Sequence, residues 1–196
     1  MCGHFALDAV NYDTREQLGA DYGSYKLAAS PHIRPTDSIS LLRAAEGALE
    51  VVALPWGLKT DFSPRPVINA RVETLSERPL FKPALGVRQA VVPASAWFEW
   101  RREGSDKVGY RFDGERLLHF AALWWPASER HPRGAVVLVT TAATPPLEAY
   151  HHRMPLCLGR DQVLPWLAGQ APEAPFEPTL SIGPKDPHRP VQPDLF

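Results

Sequence analysis

Proline is the residue that most restricts how this chain can fold. The sequence of 196 residues contains 21 prolines. Because proline fixes φ and lacks an amide hydrogen, it interrupts helices and central strands, and this frequency is too high for a helical bundle. We therefore expect a sheet protein with many structured loops. Six tryptophans and 44% hydrophobic residues supply enough apolar area for a core, which excludes disorder over most of the length.

Short runs of β-branched and aromatic residues, bounded by Gly, Pro or turns such as Asp113-Gly114, predict most of the secondary structure. The predicted strands cover residues 48–58, 89–92, 96–102, 108–112, 117–125 and 135–141. Short helices are predicted for residues 14–20, capped by Asp13, and for residues 144–150 and 161–167. The pattern predicts one α+β domain with a mainly antiparallel, barrel-like core and a few short helices.

The domain is predicted to span residues 1–170. Residues 171–196 contain seven prolines and are expected to form a tail that packs on the domain or extends from it.

Charge and cysteine content exclude several classes of protein. The chain has 21 basic and 22 acidic residues and no run of five like charges, so a basic nucleic-acid arm is excluded. Residues 51–110 depart from this near balance of charge, with nine basic and six acidic residues. An anionic ligand would need such a local basic patch. Two cysteines, Cys2 and Cys157, cannot form a disulfide framework. No apolar run approaches the roughly 20 residues that span a bilayer. We expect a cytoplasmic protein without a signal peptide.

The start Met1-Cys2-Gly3 carries the first candidate chemistry. Removal of Met1, which is general when the next residue is small, would leave an amine and a thiol on Cys2. The usual pKa values, about 7.7–8.0 for the amine and about 8.5 for the thiol, leave both partly nucleophilic near neutral pH. Such an aminothiol condenses with an aldehyde through a Schiff base to a thiazolidine, or attacks an acyl carbon. An incidental cysteine at a frayed terminus is the alternative.

Residues 67–74 offer a neutral amide and a cation after a proline-rich turn. Asn69 can donate and accept hydrogen bonds, and Arg71 carries a planar fork suited to phosphate. Alternatively, Asn69 caps a helix that has Glu73 in its first turn.

Residues 91–100 place a carboxylate among aromatic residues. In a strand, Trp97, Glu99 and Arg101 share one face, while Phe98 and Trp100 are expected to face the core. Partial desolvation would raise the pKa of Glu99 toward that of a useful acid or base. Alternatively, Glu99 lies on the solvent face and pairs with Arg101 or Arg102.

Two imidazoles and a guanidinium lie together in residues 150–155. His151, His152 and Arg153 are expected at the end of a short helix, where cations complement the helix dipole. The spacing to Cys157 does not match a zinc site, so we expect neither a metal nor another cofactor.

Taken in order, these motifs resemble the SRAP (SOS-response-associated peptidase) family of abasic-site processing proteins over residues 1–168. The motifs are Met1-Cys2-Gly3, Trp56-Gly57-Leu58, Asn69-Ala70-Arg71-x-Glu73-Thr74, Val92-Pro93-Ala94, Phe98-Glu99-Trp100, Phe120-Ala121-Ala122-Leu123-Trp124 and His151-x-Arg153-Met154-Pro155. The family commonly has Arg where this chain has His4, and often an acidic residue where it has His152.

The resemblance implies a monomeric protein that binds single-stranded DNA and is nucleoid-associated when bound. It also implies that Cys2 bonds covalently to the sugar aldehyde of an abasic site, with Schiff-base, lyase-like chemistry and possible self-cleavage of Met1. By motif position, Asn69 and Glu99 would flank Cys2, and His151 would assist the sugar chemistry. The expected DNA contacts are stacking of bases on the aromatic rings and binding of phosphates by the cations. The residues expected to make these contacts are Trp56, Trp97, Arg71, Arg153 and His4.

Two other functions use the same residues differently. An N-terminal-nucleophile hydrolase of the glutamine amidotransferase type also begins Met-Cys-Gly, and there Cys2 would form a thioester with an amide substrate. A non-catalytic single-strand-binding module would need the aromatic and basic residues but not Cys2.

Overall fold

A ten-stranded, mainly antiparallel sheet forms the body of the protein. The computed structural model describes residues 2–185. In chain order the strands are β1 Phe5–Leu7, β2 Asn11–Asp13, β3 Ser24–Lys26, β4 Ser30–Ile33, β5 Ser38–Ala45, β6 Ala48–Pro55, β7 Leu58–Thr60, β8 Ser63–Val67, β9 Asn69–Arg71, β10 Gln89–Glu103, β11 Asp106–Trp125, β12 Ala135–Ala142, β13 Arg153–Pro155 and β14 Leu180–Pro184. The helices are α1 Thr14–Leu18, α2 Pro145–Glu148 and α3 Arg160–Leu167, with a 3-10 turn at Val72–Thr74.

The α+β class and the antiparallel sheet are confirmed, although within residues 2–185 the sheet does not close into a barrel. The main path runs β13-β12-β11-β10-β1-β4. The β5–β6 hairpin joins the sheet through β10, and β14 pairs with β11. Two small sheets, β2–β3 and β7–β8, lie outside it.

The β10–β11 hairpin is longer and more continuous than predicted. Its strands are joined by a two-residue turn at Gly104, which has a positive φ of 58°. The predicted breaks at residues 93–95 and at Asp113-Gly114 are wrong, because a register shift between Ala94 and Ala96 accommodates these residues within the ladder. Gly114 is required at this shift, since a Cβ there would approach the Arg116 carbonyl oxygen to 2.5 Å.

Strand β12 brings distant segments of the chain together. Its first half pairs with β11, its second half pairs antiparallel with β13, and β9 runs parallel to it. Residues 135–140 of β12 are fully buried, as expected for a run of Ala, Val and Leu covered on both faces. Asn69 on β9 and the segment that leads into β13 therefore flank the same strand.

The core contains a set of contacting aromatic rings. Phe5 packs edge-on against Trp56 and Phe120, with ring centroids 5.3 and 6.0 Å apart. Trp97 stacks on Phe112 at 5.1 Å. Such pairs add specific geometry to the large apolar area that each ring buries.

Strand β10 is covered on both faces. Trp97 lies in the main core, whereas Phe98 belongs to a separate small cluster with Ala6 and Ala96, against which Trp100 packs. The prediction that Phe98 and Trp100 face the main core is thus wrong. The reason is that the pleat directs the face of Trp97 and Glu99 inward.

The short helices lie close to their predicted positions. Asp13 caps α1 by accepting a hydrogen bond of 3.0 Å from the Glu16 amide, and Gly19 ends the helix with a left-handed conformation. Strand β14 lies in the segment predicted as a tail, and residues 186–196 of that segment lie outside the described residues. Among the helices of residues 2–185, none is long and apolar enough to cross a membrane.

Candidate active site

Cys2 lies in the protein interior, three residues before β1. Its side chain has no exposed surface, and the thiol donates to the His4 carbonyl oxygen at 3.8 Å. Burial raises the pKa of the Cys2 thiol, and the negative charge of Glu99 raises it further. The sulfur is therefore held as a thiol rather than as a thiolate, near enough to Glu99 for the carboxylate charge to act on it.

Asn69 is the residue that fixes the position of Cys2. Its side-chain amide donates a hydrogen bond of 2.7 Å to the Cys2 carbonyl oxygen. The amide oxygen of Asn69 is buried and has no hydrogen-bond partner among residues 2–185. Because Asn69 lies in β9 rather than at a helix end, the helix-cap alternative is wrong. A buried acceptor beside Cys2 suits a donor supplied by an amine or a sugar hydroxyl.

Glu99 is a buried carboxyl group on β10, with 4% of its surface exposed. Burial raises its pKa to about 7, while the positive charge of the amino terminus acts in the opposite direction. The alternative of a solvent-facing Glu99 paired with Arg101 or Arg102 is wrong, since the Glu99 side chain is buried and Arg101 pairs with Glu103 instead. Glu99 can hold or release a proton near neutral pH.

His151 lies in the loop between α2 and β13. Its Nδ1 is 3.0 Å from both the amide nitrogen and the carbonyl oxygen of Arg153, so either tautomer is held in place. Burial lowers the pKa of His151, and the positive charge of the amino terminus lowers it further. The ring is thus neutral near pH 7, and it shares with Glu99 the electrostatic influence of the amino terminus.

The two adjacent histidines differ in burial. His151 is half-buried and His152 is exposed, and their rings stack with centroids 4.4 Å apart. The predicted helix end at these residues is wrong, because α2 stops at Glu148. The Tyr150 and His151 amides still donate to the Leu147 carbonyl oxygen, at 2.9 and 3.1 Å, and the two histidine rings stack instead of diverging.

Arg153 is an internal structural cation. Its side chain is almost buried, and the guanidinium donates to both carboxylate oxygens of Glu73, at 2.7 and 2.9 Å, and to the Thr140 carbonyl oxygen. The predicted phosphate contact of Arg153 is therefore wrong, since both terminal nitrogens donate inside the protein and Nε is buried. The pairing also lowers the pKa of Glu73.

Three other predicted DNA contacts are buried. Trp56 has no exposed surface and donates from Nε1 to the Ile68 carbonyl oxygen, and Trp97 is 1% exposed. Neither ring presents a face to a base, so the stacking role is wrong for both. His4 is 1% exposed and burial lowers its pKa to about 4, so it cannot offer a charge to a phosphate.

Arg71 is an exposed cation close to Asn69. The side chain is exposed at the end of β9, two residues after Asn69, and it forms no ion pair or side-chain hydrogen bond with any residue in the described part of the chain. An exposed and unpaired guanidinium beside the site is available to a phosphate.

The ion pair of Glu73 was not predicted from the sequence. Glu73 was expected only in the first turn of a helix, whereas the structure pairs it with Arg153, eighty positions away. The available signal was the presence of an acidic residue, Glu73, in one motif and of a basic residue, Arg153, in another. Within residues 2–185, no group of three or more His, Cys, Asp or Glu side chains is placed to hold a metal ion.

Known proteins resemble this chain over most of its length. The model of a family described as SOS response associated peptidase (SRAP) matches residues 1–187. Abasic site processing protein YoqW of Bacillus subtilis is 30% identical over 181 residues, covering 85% of this chain and 80% of that protein. Abasic site processing protein YedK of Escherichia coli is 30% identical over 182 residues, with 85% and 79% covered. A crystal structure of a phage-related protein from Bordetella bronchiseptica superposes with a TM-score of 0.69 at 25% identity, covering 93% of each chain.

Proposed function

Because the chain belongs to the SOS response associated peptidase (SRAP) family, we propose that it acts on abasic sites in DNA by bonding covalently to them through Cys2. The family match over residues 1–187 and the relatives named abasic site processing proteins support action on abasic sites. The placement of Cys2 beside Asn69 and Glu99 supports the covalent step.

The reaction begins with the amine that removal of Met1 leaves on Cys2. This amine adds to the aldehyde of the ring-opened abasic sugar, and loss of water gives an imine. The thiol of the same residue then adds across the C=N bond, which forms a C–S bond and leaves a secondary amine in a five-membered thiazolidine. One water molecule leaves overall, and no oxidant or reductant is needed.

The observation that carries this proposal is the hydrogen bond of 2.7 Å from Asn69 to the Cys2 carbonyl oxygen. It holds the backbone of the nucleophile while leaving the thiol and the amine of the same residue to react. The buried amide oxygen of Asn69 offers an acceptor to the attacking amine or to a sugar hydroxyl.

Glu99 and His151 are the proposed acid and base groups. Since the pKa of Glu99 is about 7, its carboxylate accepts the proton that the Cys2 thiol loses on addition, and its acid form protonates the departing water. His151, neutral near pH 7, is proposed to exchange a proton with the sugar oxygen when the ring opens.

The proposed DNA partner is a single strand that contains an abasic site, bound by a monomer in the reducing cytoplasm. Arg71 would hold a phosphate next to the reacting sugar. A single strand suits a deeply placed nucleophile, because the sugar must leave the stacked duplex to reach a fully buried Cys2. Self-cleavage of Met1 would supply the free amine.

A denaturing gel with labelled single-stranded DNA that contains one abasic site tests the proposal. We expect a slow, heat-stable band with the native protein, and none with Cys2→Ser or with DNA that lacks the abasic site. Binding in a native gel without that band would overturn the covalent step and leave a simple binding module. Glutamine hydrolysis without the band would instead indicate an N-terminal-nucleophile hydrolase.

A further inference from the structure

A partly buried ion pair lies between the two segments that carry Asn69 and His151. The guanidinium of Arg153 donates to both oxygens of the Glu73 carboxylate, and only 10% of the Arg153 side chain is exposed, against 47% for Glu73. A two-pronged contact of this kind fixes both the distance and the relative orientation of its partners. It therefore acts as a rigid link rather than as a loose surface pair.

The link crosses strand β12. Glu73 follows β9, which runs parallel to β12. Arg153 begins β13, which pairs antiparallel with β12. Thr140 of β12 lies between them, and its carbonyl oxygen accepts a hydrogen bond of 2.7 Å from Arg153. Its hydroxyl donates to the Ala70 carbonyl oxygen at 3.3 Å. Side-chain contacts thus join all three strands at one level.

Each end of the link is next to a group of the candidate site. Arg153 holds the His151 ring through main-chain contacts of 3.0 Å to Nδ1. On the other side, Glu73 lies four residues after Asn69, with only Ala70 and Arg71 of β9 and one residue of the 3-10 turn between them. A change in the separation of Glu73 and Arg153 would therefore move His151 relative to Asn69 and hence relative to Cys2.

We propose that Glu73 is a positioning residue for the reaction at Cys2: its ion pair with Arg153 ties β13 to β9 and sets where His151 stands relative to Asn69. This inference rests on the proposed function. Glu73 also neutralises the charge of Arg153. That charge is among the influences that lower the pKa of the neighbouring His151 imidazole. Loss of the Glu73 charge should lower that pKa further.

Two measurements on Glu73→Gln test the inference, with Glu77→Gln as a matched control. Glu77 is an exposed glutamate four residues further on that forms no ion pair within the described residues. We expect Glu73→Gln to slow crosslinking at saturating protein by at least tenfold, with the affinity for DNA changed less than twofold. In NMR titration without DNA, the pKa of His151 should fall relative to the native protein, whereas Glu77→Gln should leave both quantities unchanged.

The conservative variant Glu73→Asp separates positioning from charge. Because aspartate keeps the charge but is one methylene shorter, it should restore the His151 titration while crosslinking stays below the native rate. A native crosslinking rate and a native His151 titration in Glu73→Gln would overturn the inference. So would loss of cooperative unfolding in both variants, which would make Glu73 a stability residue. The absence of an adduct with the native protein would overturn the proposed function. The His151 titration needs no DNA, so an unshifted pKa of His151 in Glu73→Gln would overturn the inference independently of that result.

Discussion

Asn69 and Cys2, separated by 67 positions in the chain, are joined by a hydrogen bond of 2.7 Å from the side-chain amide of Asn69 to the Cys2 carbonyl oxygen. The contact exists because β9 adds in parallel to β12. A residue near a chain terminus frays unless it is tied down. This hydrogen bond, together with complete burial, gives Cys2 a fixed backbone.

Replacing Asn69 by Asp tests that contact with almost no change of shape. The donor becomes a second acceptor facing the Cys2 carbonyl oxygen, and a negative charge is added next to Cys2. We expect single-turnover crosslinking to slow by more than tenfold, and more than in Asn69→Ala, which only removes a hydrogen bond of about 1 kcal/mol. A native rate in Asn69→Asp would show that the amide donor is dispensable.

The raised pKa of Glu99 has a consequence for stability. Between its usual pKa of about 4.5 and its native value of about 7, the folded protein holds a proton that the unfolded chain has lost. The free energy of unfolding should therefore fall as the pH rises through this interval. Glu99→Gln removes the effect, so it should stabilise the protein at pH 8 by up to about 3 kcal/mol and by much less at pH 5.

Denaturant unfolding of native and Glu99→Gln protein at pH 5 and pH 8 provides this measurement. Glu103 serves as a control because hydrogen bonds from Tyr110 and Arg101 lower its pKa, so Glu103→Gln should change stability with the opposite sign. An equal effect of Glu99→Gln at both pH values would contradict a raised Glu99 pKa.

The two histidines should differ in their effect on rate. His151 is half-buried and held by Arg153, whereas His152 is exposed and covers one face of the His151 ring. We expect His151→Ala to slow crosslinking or its reversal at saturating protein, and His152→Ala to change the rate less than threefold. Single-turnover kinetics on both variants would measure this, and the reverse ranking would assign the proton transfer to His152.

Arg71 and Trp56 should separate DNA binding from stability. Arg71→Ala should weaken single-strand binding, most strongly at low salt, and reduce the salt slope of log K by about one, the contribution of roughly one phosphate contact. Trp56→Ala should instead cost about 3–5 kcal/mol of stability, because the ring fills the core. Fluorescence anisotropy over a salt series, alongside denaturant unfolding, tests both. An unchanged salt slope in Arg71→Ala would remove Arg71 from the DNA interface.

Local patterns predicted the elements better than the connections between them. Asp13 caps α1 as predicted, through short-range chemistry that a sequence displays directly. The Asp113-Gly114 pair has the composition of a turn, yet it lies inside β11, where β14 pairs with it. That pairing joins residues about 70 positions apart, and no local signal at Asp113-Gly114 announces it.

Residue type indicates which chemistry a side chain can support, whereas burial decides which side chains can reach a ligand. Cys2, Asn69 and Glu99 follow from the reactions that a thiol, an amide and a carboxyl group can support. Trp56 and Arg153 were predicted to bind DNA because aromatic and basic residues often do. Whether such a side chain faces solvent depends on tertiary packing, which places Trp56 in the core and Arg153 on Glu73.

Intact-mass analysis of the protein bound to abasic single-stranded DNA tests the central claim most directly. The native protein, with Met1 removed, should give a heat-stable adduct whose mass equals protein plus DNA less one water. Cys2→Ser should not give this stable adduct, and neither should protein with an amino-terminal tag that keeps the Cys2 amine blocked. A full yield of heat-stable adduct from the tagged protein would contradict the thiazolidine mechanism.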